Sequence, residues 1–318
     1  MVRVELITLH LTEPFRIAHG TSTERTVVRL SHEGVVAEAP FVPYYQESPE
    51  AALAALRTLV DPFDELPAGA PRAARLAHDV LKHELLARSE GVPLWQHLGL
   101  PDPNGRLACR SLGIPTDLSA FAQRVADTAA QFRVLKLKLG SGSIEHDLAI
   151  VRTAREAAPK ATLIADANGG WMAAQAAELI PQLAALGLAM IEQPVTHKDG
   201  IAPWQALHTA LPHSPLPVFA DESVQTSADA PGIAPFVSGI SVKLLKCGTI
   251  TEALATIRLT REIGKQVLLS CMIESSIGIT AAAHLAGLAD YIDLDGHLYL
   301  AHDPDGGIRF DAEGRLHL

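Results

Sequence analysis

This chain of 318 residues is poor in the features that would place it outside the ordinary globular proteins. It has three cysteines, Cys109, Cys247 and Cys271, widely spaced and odd in number. They fit neither a disulfide framework nor a cysteine-based zinc motif, and a reducing cytoplasm is the expected location. Runs of lysine and arginine are absent and the net charge is −10, so neither nucleic acid nor an anionic membrane is an expected partner. No segment approaches the roughly 20 apolar residues that span a bilayer. The opening Met1-Val2-Arg3-Val4-Glu5-Leu6 is too broken by charge to read as a signal peptide. The histidines form no H-E-x-x-H and no Cys/His cluster, which argues against zinc.

What is present is core-forming material: 48% of the residues are apolar and 19% charged. Residues 1–105 read as an α+β capping domain. Strand-like runs cover Val2–His10, Thr26–Ser31 and Gly34–Ala39. A helix is expected to open at Ser48-Pro49-Glu50, with Ser48 as N-cap and proline at the first helical position. Another covers Pro71–Glu90 and stops before Gly91-Val92-Pro93. Turn chemistry at Pro101-Asp102-Pro103-Asn104-Gly105 marks the boundary.

Residues 106–299 change texture, with short apolar strands alternating with Ala/Leu-rich helices. One polar residue stands at or near the end of each candidate strand: Ser111, Lys138, Asp166, Glu192, Asp221, Lys243, Ser270 and Asp293. Their spacings run from 22 to 29 residues, about one strand, one helix and two loops each. Eight such units make an α/β barrel of the (β/α)₈ type, whose active site lies at the C-terminal strand ends. The competing fold, an open doubly wound sheet, would carry a Gly-rich phosphate turn after its first strand, and none is seen.

Asp166, Glu192 and Asp221 would end three neighbouring strands. Three converging carboxylates repel unless a cation neutralises them, and oxygen-only ligands favour Mg²⁺. The alternative is three separate acids, each paired or capping. Lys136 and Lys138 alternate with leucines, so both face the barrel interior if helices cover its outside; an exposed edge strand is the alternative reading. Lys243 ends the sixth barrel strand and faces Lys138 across the mouth, with Lys246 as a second candidate. A carboxylate substrate held on the metal would have its α-carbon between two amines. That arrangement suits proton removal from one face and delivery to the other, with the metal and ammonium groups stabilising the enediolate. A Schiff-base aldolase also uses a barrel lysine, but has no need of three acids on adjacent strands. Ser111 is a candidate for the substrate carboxylate or a plain core hydroxyl, and Asn168 and Glu222 stand beside the acids as supports.

Together the segments Leu135-Lys136-Leu137-Lys138, Asp166-Ala167-Asn168-Gly169-Gly170-Trp171, Ile191-Glu192-Gln193-Pro194, Ala220-Asp221-Glu222-Ser223 and Val242-Lys243-Leu244 resemble the enolase superfamily, in its muconate-lactonising-enzyme-like subgroup. The resemblance implies an α+β cap over a (β/α)₇β barrel, with the tail from about 300 to 318 returning to the cap. Asp293-Leu294-Asp295-Gly296 resembles the D-x-D with which dipeptide epimerases hold the α-ammonium of the N-terminal residue. It implies a Mg²⁺-dependent epimerase acting on a dipeptide, with Lys138 and Lys243 as acid and base and Lys136, Ser111, Asp293 and Asp295 at the substrate. An o-succinylbenzoate synthase or muconate cycloisomerase type of reaction, and a non-catalytic carboxylate binder, are the other readings. Family members acting on Ala–Glu carry an arginine near residue 20, where this chain has Gly20. Specificity is expected from a loop at residues 16–24, from residues 43–47 and from the last strand ends. The sequence leaves oligomeric state open, a homo-oligomer included.

Overall fold

The structure, a computed structural model, describes residues 1–304 and 307–318. The N-terminal part is a three-stranded antiparallel sheet, β1 (Arg3–Ile17), β2 (Gly20–His32) and β3 (Val35–Pro40). β1 runs well past its expected end at His10. Pro14 has no N–H to give a ladder, and the register shifts between His10 and Phe15 before pairing resumes down to Ile17↔Gly20. The expected loop at 16–24 is therefore the tip of a long hairpin. Against this sheet packs a helix, Arg72–Glu90, through Leu76, Val80 and Leu81. Burying each such side chain contributes roughly 1.5–3 kcal/mol. Gly91, in the left-handed region at φ 70°, ends that helix. The helix Pro49–Leu56 starts as expected, with Ser48 Oγ accepting from the Ala51 N–H.

The second part is a parallel barrel of eight strands: β4 (Cys109–Leu112), β5 (Val134–Lys138), β6 (Thr162–Asp166), β7 (Leu188–Glu192), β8 (Val218–Ala220), β9 (Gly239–Lys243), β10 (Gln266–Ser270) and β11 (Tyr291–Asp293). A parallel bridge between Ala108 and Ile292 joins its two edges. The outward residues are covered by helices, including Leu118–Ala129 and Ala202–Ala210, which the sequence reading had not singled out.

The strand period of two decides what lies under the barrel mouth. Two residues before Ser111, Asp166, Glu192, Asp221 and Ser270 stand Cys109, Ile164, Met190, Phe219 and Leu268, which form one buried cluster plugging the interior. Phe219 is so placed that a Cβ at Gly239 would sit 2.2 Å from its ring, which is why that strand begins with glycine. Lys136 occupies the same layer, two residues before Lys138. It is the charged member of this layer, where the same rule also places the buried Ser241.

The C-terminal pair β12 (Arg309–Phe310) and β13 (Leu316–His317) comes back to Asn104 and Gly105, at the end of the capping segment, and to the start of the barrel segment. It hydrogen-bonds residues 105–108, sets Phe310 edge-on to Phe132 and stacks it on His297. The stretch at 299–301 reaches the cap sheet, through Thr12, Leu11 and His10 of β1. Among the described residues no helix is long and apolar enough to cross a membrane.

Candidate active site

The parallel ladders align Lys138 with Asp166 and Asp166 with Glu192, and on the other side Lys243 with Ser270 and Ser270 with Asp293. Sheet register thus delivers these side chains to one level of the barrel mouth. Asp166, Glu192 and Asp221 each offer an oxygen within 4.8 Å of the others, and all three are fully buried. Gln193 links the last two: its Oε1 accepts from the Asp221 N–H, and its Nε2 donates to Ser223 Oγ. It holds this place in the left-handed region, at φ 36°.

Each acid is met by an amine. Lys138 Nζ lies 2.6 Å from Asp166 Oδ2, and Lys243 Nζ lies 2.6 Å from Asp221 Oδ2. Lys136 Nζ lies 2.6 Å from both Glu192 Oε2 and Asp293 Oδ2. The contact to Glu192 is ionic without hydrogen-bond alignment, so both Glu192 oxygens lack a hydrogen-bond donor. Burial pushes the Glu192 carboxyl up to about 7; Lys136 opposes this, while Asp166 and Asp221 add to it. Burial also acts against ionised Asp166 and Asp221, but there the lysines prevail and hold both below the usual carboxylate range. A buried cluster of three carboxylates, one with two unsatisfied oxygens, fits a hard divalent ion with oxygen ligands; no sulfur or imidazole enters the set.

Above the acids lies a cavity of about 390 Å³. Lys138 and Lys243 both line it, from strands that stand opposite in the ring of eight. Ser111, Asp293 and Asp295 line the far side, and Asn168 lines it beside the acids. Asn168 donates from Nδ2 to both Asp166 Oδ2 and Glu222 Oε1, tying the support residues to the first acid.

Three expectations need correction. Lys136, expected at the substrate, does not line the cavity; it is the fully buried floor, held by Glu192 and Asp293. Lys246, the alternative acid/base, is spent on structure: its Nζ donates to Asp221 Oδ1, Asp221 O and Ser241 O, each at 2.7 Å. Asp293 and Asp295 reach the cavity, but not by strand alternation. β11 ends at Asp293, and Asp295 has turned to φ −99°, ψ 6°. Their partners differ accordingly. Asp293 accepts from Lys136, Ser111, Ser270 and Cys109. Asp295 Oδ2 accepts from the Ser111 N–H, Tyr299 and Arg110.

The cap supplies the roof. Ala18, at the hairpin tip, meets Gly140 and Gly170 of the barrel loops. A Cβ on Gly140 would come within 2.5 Å of Ala167 O and 3.0 Å of the Ala18 methyl, and Gly140 sits at φ +78°. His19 stacks near Tyr44, with ring centroids 4.6 Å apart, and its Nε2 is 3.4 Å from Glu222 Oε1. Tyr44, within the 43–47 region expected to set specificity, lines the cavity, as do Arg25 and Tyr299, which were not foreseen as site residues. Tyr299 lies four residues after Asp295, across a short helical turn, where neither strand nor α-helix period applies. Arg110 lies over its ring at 3.8 Å.

Comparison with known proteins agrees with this geometry. A family model described as Enolase C-terminal domain-like matches residues 117–317. An L-Ala-D/L-Glu epimerase of Escherichia coli is 33% identical, covering 97% of this chain and 96% of its own. A hydrophobic dipeptide epimerase of Roseobacter litoralis is 33% identical, over 98% of this chain and 94% of its own. A dipeptide epimerase of Enterococcus faecalis, solved with Mg and L-Leu-L-Tyr, superposes with a TM-score of 0.89 at 30% identity, over 100% of this chain and 96% of that one. A barrel with three buried acids between opposed lysines, a matching family model and relatives alike over nearly their full length lead to one assignment: this chain belongs to the enolase superfamily, in the branch that holds the dipeptide epimerases.

Proposed function

We propose that the protein is a Mg²⁺-dependent dipeptide epimerase that inverts the α-carbon of the C-terminal residue of an L,L-dipeptide. The observation that carries this reading is the position of Lys138 and Lys243 on β5 and β9, opposite one another, with the acids on the arc between them. Asp166, Glu192 and Asp221 would hold the ion. Bound there, Mg²⁺ supplies a Lewis acid for the charge that collects on the substrate carboxylate.

The chain's own residues do the rest. One lysine, as the free amine, takes the α-proton, and the C–H electron pair moves into the carboxylate. The other, as ammonium, returns a proton to the opposite face of the same carbon. The carbon is then inverted and each lysine has exchanged its state. Asp221 keeps Lys243 protonated, well above the usual lysine range, although burial works against the charge. That suits Lys243 to donation in the forward or the reverse direction, according to which enantiomer is bound. Asp293 and Asp295 receive the N-terminal ammonium, and Ser111 Oγ and Tyr299 Oη brace the two aspartates. A cycloisomerisation or dehydration substrate carries no ammonium group and would leave this acidic end unused.

The test is a dipeptide library incubated with the Mg²⁺-loaded protein in D₂O and read by mass. Gain of one deuterium at the C-terminal α-carbon, with appearance of the L,D-epimer, is the expected result. Exchange that persists after both lysines are replaced by alanine refutes the assignment of Lys138 and Lys243.

A further inference from the structure

Glu192 and Asp293 close β7 and β11, the fourth and eighth strands of the barrel, and so stand on opposite walls. One group joins them. Lys136 reaches across from β5 and sets its Nζ 2.6 Å from Glu192 Oε2 and 2.6 Å from Asp293 Oδ2. Among the described residues no other cation forms an ion pair with either acid. Lys136 and Glu192 are fully buried, and Asp293 nearly so. One ammonium thus serves two buried carboxylates and can neutralise only one of them. Asp166 lies further off, at 3.6 Å, and has Lys138 at 2.6 Å.

The two acids hold the lysine differently. Asp293 Oδ2 accepts a hydrogen bond from Nζ, and Ser111, Ser270 and Cys109 also donate to this carboxylate. Glu192 has the charge contact alone, since neither of its oxygens has a donor. Lys136 does not line the cavity, so it meets no substrate there. The plug of Cys109, Ile164, Met190, Phe219 and Leu268 shares its layer and offers it no other charge. The lysine therefore answers to the balance between the two carboxylates. An ion on Glu192 needs that acid's lone pairs, and an ammonium leaning on the same acid repels it. Asp293 counteracts this by drawing the ammonium to the far wall.

We propose that Lys136 is a positioning residue that couples the two ends of the site: it divides one charge between Glu192 and Asp293, so that Asp293 sets the affinity for Mg²⁺ from outside the three-acid seat. The coupling is reciprocal. A substrate ammonium arriving at Asp293 loosens that acid's hold on Lys136 and turns the lysine toward Glu192; this half rests on the epimerase reading above. Metal and ammonium thus oppose each other through Lys136, which limits how tightly a dipeptide is gripped at both ends at once.

The experiment is calorimetric titration of Mg²⁺ into the substrate-free protein at about pH 8, with the wild type, Asp293→Asn, Lys136→Met and the double variant. Asparagine keeps the shape of Asp293 and removes its charge, which leaves Lys136 to Glu192. Asp293→Asn should weaken Mg²⁺ binding about 5- to 30-fold, within the range of coupling between sites. With methionine at 136 the same change should matter by less than about twofold. Lys136→Met also alters Glu192 itself, but equally in both members of that pair, so the effect cancels. A loss of equal size in both backgrounds is the bare field of Asp293, and an unchanged affinity in Asp293→Asn means no link; either overturns the proposal and leaves the epimerase reading intact. A wild type that binds no Mg²⁺ overturns both. If Lys136→Met fails to fold, Asp295→Asn takes its place as control, because that acid is held by Ser111, Tyr299 and Arg110 and not by Lys136. A loss confined to Asp293→Asn then supports the proposal, and an equal loss in both variants overturns it.

Discussion

Replacing Lys138 or Lys243 singly by alanine separates the two halves of the proposed reaction. Each lysine serves one face, and the other amines near the site are occupied: Lys136 is fixed beneath it by Glu192 and Asp293, and Lys246 is fixed by Asp221 and Ser241. Among the described residues no third lysine lines the cavity. A positioned general acid or base contributes about 10²–10⁴-fold, which is about 2.7–5.4 kcal/mol of barrier. Inversion uses both lysines and should fall by that factor in either variant. Proton exchange without inversion uses one. Each variant should therefore still wash deuterium into one enantiomer of the C-terminal residue at a substantial rate and lose exchange in the other, with the favoured enantiomer reversed between the variants. Proton NMR in D₂O on separate L,L- and L,D-dipeptides reads this directly. Equal loss of exchange for both enantiomers in both variants would refute the one-face assignment. It would leave the lysines as electrostatic supports for the charged carboxylate.

Further outcomes follow from the same geometry. The ion binds the ionised form of Glu192, whose carboxyl is raised to about 7. Mg²⁺ affinity should thus be full above that pH and fall by up to about tenfold per unit below it, with proton release on binding; calorimetric titration between about pH 5.5 and 8 checks this, and a flat affinity contradicts it. Chelator treatment should abolish exchange and added Mg²⁺ restore it. Lys246→Met breaks a fully buried ion pair and should lower stability by roughly 3–5 kcal/mol, measured by denaturant unfolding; a loss under about 1 kcal/mol would show that Asp221 does not depend on it. Asp295→Asn should raise KM for free dipeptides by roughly 10- to 100-fold while affecting N-acetylated ones far less, and equal effects on both would remove Asp295 from ammonium binding.

The barrel and its metal centre were legible because both rest on short-range rules. A polar residue closing each apolar strand, repeated at strand–helix spacing, fixes which side chains share the mouth, and sheet register then brings Asp166, Glu192 and Asp221 together. The same period of two gave the inward face of Lys136 but not its depth, which depends on being one layer below Lys138 and within reach of a strand on the far side. The cap was read less well. Pro14 concealed the continuation of β1, so the hairpin tip passed for a loop. The helix Leu118–Ala129 carried a mark that went unread, Asp117, whose side chain accepts from the Ser119 and Ala120 N–H groups; Ala202–Ala210 has no side-chain cap and only Pro203 in its first turn.

The contact of Ala18 with Gly140 and Gly170 has a practical consequence for re-engineering this scaffold. At this point of the cap–barrel contact a single methyl group rests between two bare backbones. Residues 15–25 can be exchanged as one cassette to retarget the catalyst, provided the recipient keeps glycine at 140 and 170. A graft with a bulkier tip, or a host with any side chain at either seat, would tilt the cassette and misalign every selecting group it carries.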